Sequence, residues 1–170
     1  MVMIHFQKIR WKNFLSTGNT FSEIDLVSSR TNLIVGANGA GKSTILDALT
    51  FSLFGKPFRK ISKAMLVNSI NEKDCVAEIE FTIGKREYKV IRSIKPNKLE
   101  IYCDGLAWNQ EASVVDQQKN FEQNVLKMNF KSFTQIVVLG SSTFVPFMRL
   151  PITQRRDIIE DILDIQMFST

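Results

Sequence analysis

Hydrophobic and polar residues alternate in several short stretches of the chain, the pattern of strands with one buried face. It is clearest in "CVAEIEFTI", where Ile79 and Phe81 alternate with charged residues. Asp104-Gly105, between two short apolar segments, is a strong hairpin signal. The pattern predicts strands over residues 4–14, 21–27, 75–83, 86–94 and 98–103, and the last three are antiparallel in style.

A different succession of secondary-structure elements is predicted after the first two strands. The short apolar run 31–35 ends at Gly36 and predicts a buried strand. After a glycine-rich loop, apolar residues recur at helical spacing over 45–54, and the predicted helix ends at Gly55, with Pro57 just beyond. Strand, glycine loop and helix therefore come in that order.

Helical spacing dominates from residue 113 onward. Residues 113–128 predict one helix, whereas the apolar run 130–139 fits either a helix or a strand. An amphipathic helix is predicted at the end of the chain, where Pro151 keeps it from starting earlier and Thr153 is its candidate N-cap. Its apolar face is core, a coiled-coil seam or a landing site for a nuclease subunit, and comprises Ile158, Ile159, Ile162 and Leu163.

Composition narrows the class of protein. A chain of 170 residues with 44% hydrophobic residues is long enough for one domain with a core. It has no apolar run of transmembrane length and no secretory signal at its start, so we expect no membrane and a cytoplasmic location. The two cysteines stand far apart and the one histidine is near neither, which argues against a zinc site or a disulfide framework.

Residues 36–43 fit the pattern G-x-x-x-x-G-K-[ST], which forms a phosphate-binding loop between a strand and a helix. Its glycines allow backbone N–H groups and the positive end of the helix dipole to converge on phosphates. Lys42 is expected to reach the β- and γ-phosphates, Ser43 to hold Mg²⁺ and Thr44 to contact the α-phosphate. The alternative is a glycine-rich turn without a ligand. The predicted nucleotide-binding set is Gly36, Ala37, Asn38, Gly39, Ala40, Gly41, Lys42, Ser43 and Thr44.

Basic residues are concentrated in two places, in a chain of net charge +5. "GKPFRKISK" holds four cations and no acidic residue, and these are candidate contacts to DNA phosphates: Lys56, Arg59, Lys60 and Lys63. The alternatives are a solvated loop or a segment that orders near the nucleotide. The strands over 85–98 are a second basic candidate, although outward-pointing lysines also guard sheet edges. We expect Trp11 and Trp108 to pack rather than to stack on bases.

Three stretches carry a resemblance to a known family. "NLIVGANGAGKSTILDALTFSLFGKP" resembles the head domain of the SMC-like ATPases of double-strand-break repair, the SbcC type, and more closely the phage recombination endonuclease ATPase subunits. "KIRWKNFLSTGNTFSEIDL" is similar to that family's opening strands, with Asn13-Phe14 in the "NF" place. "FTQIVVLGSSTFVPFMRLPITQRRDIIEDILDI" is similar to the segment that leads into the ascending coiled coil. The resemblance covers nearly the whole chain.

This resemblance implies an α/β fold, the N-terminal lobe of an ABC-type P-loop NTPase head. Such a lobe has an antiparallel β part, a P-loop sheet with helices and the start of a coiled-coil helix. It implies a head part over 1–150 and the ascending helix over 151–170. In this family two heads sandwich two ATP molecules. The implied partners are the C-terminal half of the same head, a second copy, a two-metal phosphoesterase nuclease subunit and double-stranded DNA. If the protein is phage-encoded, its implied location is the interior of a bacterial host.

Two positions depart from the family pattern. By alignment, Gly140 takes the place of the Q-loop glutamine that follows a short strand, and Gln135 is a weaker candidate for contact with Mg²⁺ or water. Leu15 stands where cellular members tend to have an arginine near the nucleotide, and either Lys12 or Arg10 substitutes for it or no residue does.

The chain contains no apolar run closing in Asp-Glu and no L-S-G-G-type signature. We therefore expect the ATP-binding half-head of a DNA recombination and repair ATPase, which regulates a partner nuclease through ATP-driven head dimerisation. Its cofactors are ATP and Mg²⁺, and no turnover is expected of this chain alone. Two alternatives stay open: a non-catalytic interaction module, and a self-contained P-loop kinase or GTPase, whose further motifs we do not find.

Overall fold

The computed structural model of the chain describes residues 3–108, 113–138 and 145–163. The backbone forms two compact units, Met1–Val114 and Val115–Thr170. The first is built mainly from strands and the second from helices. The boundary between 150 and 151 remains a prediction. In the part of the chain that the structure describes, no helix is long and apolar enough to cross a membrane.

A single antiparallel sheet dominates the first unit. Its strands are β1 (Ile4–Lys12), β2 (Ser22–Asp25), β3 (Cys75–Ile83), β4 (Arg86–Ile94), β5 (Lys98–Cys103) and β6 (Leu106–Ala107). They pair in the order β2-β1-β3-β4-β5-β6, which confirms the five strands, and the antiparallel style predicted for the middle section holds for β3, β4 and β5. The predicted turn joins β5 to β6, and Asp104 and Gly105 both take a positive φ, 52° and 77°. Such angles match the twist of a tight hairpin.

Helix α1 (Thr44–Phe54) packs against the sheet and confirms the helix predicted after the glycine loop. Its Phe51 is fully buried, with a ring centroid 5.7 Å from that of Phe14. The alternate residues Ala77, Ile79 and Phe81 of β3 are also fully buried. The alternation in the sequence therefore marks the face of β3 that forms the core.

Charged side chains pair across the other face of the sheet. Arg10 lies 2.7 Å from Glu78, while Lys89 lies 3.6 Å from Glu78 and 2.9 Å from Glu80. Glu78 is buried, so its carboxylate depends on these two cations for compensation. Lys89 belongs to the basic stretch 85–98, and part of that charge is therefore neutralised within the sheet.

The buried strand predicted at 31–35 is wrong. These residues form no strand, and Leu33 and Val35 are 88% and 80% exposed. A continuous apolar strand is buried when strands pair with both of its edges and helices cover its faces. In the described ranges, every named strand belongs to the antiparallel sheet and none pairs with 31–35. An apolar segment without those neighbours forms no strand, whatever its propensity.

Helices make up most of the described chain beyond the sheet: α2 (Val114–Phe121), α3 (Phe130–Ile136) and α4 (Ile152–Leu163). A π-helical turn, Glu122–Leu126, continues α2 and confirms the helix predicted over 113–128. The ambiguous run begins as a helix, because the side chain of Asn129 caps α3 by accepting a hydrogen bond from Ser132 N at 3.0 Å.

The short strand expected just before Gly140 is wrong as far as the structure describes it. Helix α3 extends to Ile136, and Val137 and Val138 follow as a turn and a bend. The local cap at the start of α3 favours helix over the strand that the apolar run also permits. Gly140 itself lies outside the described residues.

The N-cap predicted at Thr153 is also wrong. Helix α4 begins at Ile152, directly after Pro151, so Thr153 lies inside the helix. Proline has no N–H to satisfy and fits at the start of a helix, which allows α4 to begin two residues earlier than an N-cap at Thr153 implies. Ile158 is 1% exposed and Ile159 42% exposed. The side chains of the other two residues of the predicted apolar face lie outside those that the structure describes.

We expect the two cysteines to differ sharply in reactivity. Cys75 is fully buried on β3, and burial raises the pKa of its thiol to about 12. Cys103 is half-buried at the end of β5. Since the thiolate is the reactive form, Cys103 should react with an aromatic disulfide reagent in minutes at pH 8, and Cys75 only after unfolding. Labelling followed by peptide mass analysis checks this, and rapid labelling of Cys75 in the folded chain would contradict the placement of β3.

Candidate functional site

The glycine loop that precedes α1 is shaped by two left-handed glycines. Gly39 and Gly41 have φ angles of 85° and 88°, a region that other residues rarely enter. A Cβ on Gly36 would lie 3.3 Å from Ala40 Cβ, tighter than ordinary packing. The geometry agrees with the reason given for Gly36 and Gly41. The requirement at Gly39 falls on a position that the motif leaves free, so the pattern alone does not predict it.

Lys42 folds its ammonium group back over this loop. Its Nζ donates to Gly36 O at 2.6 Å and to Ala37 O at 2.8 Å. Within the loop, Ala40 N donates to Ala37 O at 3.2 Å. The cation therefore stands over the backbone turn, where an anion held by the loop would meet both the charge and the N–H groups.

Helix α1 has its two ends matched to its dipole. It begins at Thr44, directly after the loop, and ends at Phe54, where Gly55 is the C-cap and is left-handed with a φ of 69°. At that end, the buried Arg92 of β4 donates through Nε to Ser52 O at 3.1 Å. The negative end of the dipole thus meets a cation, and the positive end is left at the glycine loop, where anions are favoured.

A pocket of about 620 Å³ lies against the loop and the start of α1. This volume falls in the range of ordinary ligand sites. The loop and helix contribute Asn38, Gly39, Gly41, Lys42, Ser43 and Thr44, and other segments contribute Leu15, Ser16, Arg59, Met65, Val67 and Ser69. The structure thus brings six of the nine predicted nucleotide-binding residues to one pocket.

Two buried asparagines fasten together the segments that form the other wall of the pocket. Asn68 donates through Nδ2 to Leu15 O at 3.0 Å and to Thr17 O at 3.1 Å, and its Oδ1 accepts from two backbone N–H groups. Asn13 accepts a hydrogen bond from Asn71 at 2.7 Å. Both Asn13 and Asn68 are almost fully buried. The wall is therefore held by these side-chain amides together with a short antiparallel backbone bridge between Phe14 and Val67.

Replacement of Asn68 by alanine should lower the free energy of unfolding by about 2–3 kcal/mol, because two carbonyls and two N–H groups lose a buried partner together. Urea denaturation followed by circular dichroism measures the change. Asn32→Ala is the matched control, since the amide of Asn32 is exposed and makes only long contacts of 3.4 and 3.5 Å. An equal, small loss in both variants would contradict the role given to Asn68.

Asp47 and Arg59 form a contact beside the pocket that the sequence pattern does not predict. Asp47 is an acidic residue on α1, and its side chain is fully buried. Arg59 donates to its two oxygens, through the backbone N at 3.0 Å and through Nε at 2.6 Å. The only signal in the sequence is an acidic residue within an otherwise uncharged helix. Its partner lies 12 residues away across an irregular loop, a spacing with no periodic signature.

The four cations predicted as DNA contacts have different surroundings. Arg59 lines the pocket, in agreement with the alternative of a segment that orders near the ligand. Lys56 and Lys60 are exposed. Lys63 is half-buried, with Nζ 2.8 Å from Asn97 Oδ1, and burial together with the nearby Arg92 lowers its pKa. Contact of these residues with DNA stays a prediction.

Neither Arg10 nor Lys12 is among the residues that line the pocket. Arg10 pairs with Glu78, and Lys12 lies 5.3 Å from the ring centroid of Phe21, so neither takes the place of the family's arginine at the pocket. Gln135 belongs to the second unit, where its Oε1 is buried without a hydrogen-bond partner. Its predicted contact with Mg²⁺ or water stays a prediction.

The two tryptophans also differ in their surroundings. Trp11 is 5% exposed, which leaves no ring face open for a base, and Trp108 is half-buried. The structure therefore supports packing for Trp11 rather than stacking on a base.

Comparison with known proteins assigns the chain to a protein family. Residues 8–167 match a protein-family model described as an AAA domain. The chain belongs to this AAA-domain family. The match begins within β1 and covers the rest of the sheet, the glycine loop and the described helices.

Two proteins similar to this chain agree with the family resemblance that its sequence motifs show. The chain is 42% identical over 158 residues to "Exonuclease subunit 2" of Enterobacteria phage T4, which covers 93% of this chain and 28% of that protein. It is 32% identical over 165 residues to "DNA double-strand break repair Rad50 ATPase" of Thermoplasma acidophilum, which covers 94% and 18%. The chain thus spans less than a third of the length of these relatives. The resemblance to phage exonuclease subunits and SbcC-type ATPases is confirmed.

Solved structures show the same fold. The Smc head domain of Pyrococcus furiosus, bound to the C-terminal domain of ScpA, superposes with a TM-score of 0.65 at 24% identity, over 98% of this chain and 44% of that one. A chain from work on ATP-driven dimerization and DNA-stimulated activation of SMC ATPases gives 0.59 at 23% identity, over 93% and 99%. These likenesses confirm the predicted fold class, the N-terminal lobe of an ABC-type head.

Proposed function

We propose that the chain binds ATP in the pocket beside the glycine loop. The observation that carries this proposal is the convergence of Lys42, the loop N–H groups and the N-terminus of α1 on one pocket. Lys42 would exchange the carbonyls of Gly36 and Ala37 for the β- and γ-phosphates. Thr44, at the first turn of α1, would contact the α-phosphate. Arg59 adds a second cation at the pocket.

The residues present also fit a magnesium ion. Ser43 lines the pocket, and its side chain makes no capping bond to α1, so its hydroxyl is available to a hard cation. Within the described ranges, no group of three His, Cys, Asp or Glu side chains could hold a metal by itself. Mg²⁺ suits such a site because it keeps water and phosphate oxygens as most of its ligands. When bound, it would offset the charge of the phosphates, with Ser43 as its ligand from this loop.

In the whole protein, we propose that this chain is the N-terminal half of a head that dimerises on ATP and regulates a nuclease acting on double-stranded DNA. The names of the relatives, an exonuclease subunit and a double-strand-break repair ATPase, support this assignment. Leu33 and Val35 are exposed although they are apolar. Their exposure supports the proposal that another part of the whole protein covers the segment before the loop. A strand from the C-terminal half of the head would provide this cover.

ATP hydrolysis tests the proposed division of labour. The chain alone should bind ATP without turnover, since the groups that orient the attacking water and complete the site from a second head are expected in the C-terminal half. Phosphate release is measured for the chain alone and for the chain co-expressed with the rest of its coding sequence. Steady hydrolysis that appears only in the second sample supports the proposal. Steady hydrolysis by the chain alone would contradict it.

A further inference from the structure

Asp47 is a fully buried carboxylate whose two oxygens are both bonded to one residue. Arg59 N donates to Oδ1 at 3.0 Å, and Arg59 Nε donates to Oδ2 at 2.6 Å. A buried, ionised carboxylate is costly unless its oxygens are paired. Among the residues that the structure describes, Arg59 is the only partner of the Asp47 carboxylate. The pair is therefore a specific arrangement and not a chance surface contact.

The chain folds back on itself to make this contact. Asp47 lies in the first part of α1, and Arg59 lies five residues beyond its last residue, Phe54. At a rise of 1.5 Å per residue, the contact returns the chain along roughly 10 Å of helix, towards the glycine loop. The side chain of Arg59 thereby reaches the pocket lining, together with Lys42 and Ser43.

The contact uses only part of the guanidinium group. Nε is occupied by Asp47, whereas the two terminal amino groups of Arg59 have no partner among the described residues. The Arg59 side chain is 45% exposed. Four N–H donors thus remain for an anion, in the planar fork that suits phosphate oxygens. Because Asp47 already fixes the edge of the guanidinium, little side-chain freedom would be lost when an anion binds.

We propose that Asp47 is a positioning residue for nucleotide binding: it holds the guanidinium of Arg59 at the pocket so that the terminal amino groups bind a phosphate of ATP. This inference rests on the proposed function of the pocket. Asp47 itself does not touch the nucleotide. Neutralising Asp47 removes a negative charge near the pocket, which by itself would favour an anion. Because Arg59 already compensates that charge, the loss of a fixed position for Arg59 has the larger effect on nucleotide binding.

A double-mutant cycle on the 170-residue chain tests this role. A fluorescent ATP analogue with Mg²⁺ is titrated into the unaltered chain, Asp47→Asn, Arg59→Gln and the double variant. We expect Asp47→Asn to weaken binding about tenfold in the unaltered chain and by less than about twofold in the Arg59→Gln background, because coupled residues give non-additive effects. Glu78→Gln is the matched control, since it neutralises another buried, paired carboxylate on the far face of the sheet.

The readouts separate a positioning role from a purely structural one. A structural role would lower the melting temperature and weaken binding equally in both backgrounds, and this result would overturn the inference. Unchanged or tighter binding by Asp47→Asn would overturn it too. If Asp47→Asn does not fold, the same cycle is run with Asp47→Glu, which keeps the charge and displaces the carboxylate. Absence of binding by the unaltered chain would instead refute the proposed function, so the two failures are distinguishable.

Discussion

Replacing Lys42 by alanine weakens ATP binding by about 100-fold in our account, because the phosphates lose a charge-assisted donor that neither the loop nor Arg59 replaces. In the ligand-free structure the Lys42 ammonium bonds to two loop carbonyls, Gly36 O and Ala37 O. These groups are in an exposed loop, so water can take the place of the lysine. The free energy of unfolding should therefore change by less than about 1 kcal/mol.

Titration with a fluorescent ATP analogue measures the affinity, and urea denaturation measures the stability of the same samples. Lys85→Ala is the control, since Lys85 is an exposed lysine in the turn between β3 and β4, away from the pocket lining. It should keep the affinity within about twofold, as removing a distant surface charge does. Equal affinity for the Lys42→Ala variant and the unaltered chain would refute the role of the loop.

Truncating Phe51 to alanine should have the largest effect on stability, a loss of about 3–5 kcal/mol in the free energy of unfolding. The Phe51 ring is fully buried between α1 and the sheet, 5.7 Å from the ring of Phe14, with Lys63 Nζ 5.8 Å from its centroid. Its removal leaves a cavity under the helix that presents the glycine loop. Because domains are only marginally stable, much of the total stability would be lost.

The matched control removes the same ring from an exposed position. Phe21 is 38% exposed, with Arg10 4.7 Å from its ring centroid. Phe21→Ala should lower the free energy of unfolding by about 1 kcal/mol or less. Similar losses in the two variants would contradict the core that we describe between α1 and the sheet.

The antiparallel sheet was predictable because its signal is local. One face of β3 is buried and the other carries Glu78 and Glu80, so its residues alternate in hydrophobicity, and Asp104-Gly105 marks a hairpin by conformational preference alone. Residues 31–35 show the limit of such signals. Their apolar run suits a buried strand, but burial depends on neighbouring strands that the described chain does not provide.

The candidate site also contains residues that a local sequence pattern predicts and residues that only the fold brings together. Gly36, Gly41 and Lys42 were predictable, because phosphate binding fixes both their chemistry and their spacing. Asp47 and Arg59 were not paired by any pattern, since an irregular loop decides where Arg59 lies. A cation in that loop suits DNA or a nucleotide equally well on charge alone, and only the fold places this one at the pocket.

The most direct test of the central claim is to record amide ¹H–¹⁵N correlation spectra of the chain with and without ATP and Mg²⁺. We expect the largest shifts at the loop amides between Gly36 and Thr44 and at Arg59, with few changes on the far hairpin β5–β6. Lys42→Ala should remove these shifts at the same ATP concentration. Shifts confined to other parts of the chain, or none at millimolar ATP, would contradict the central claim.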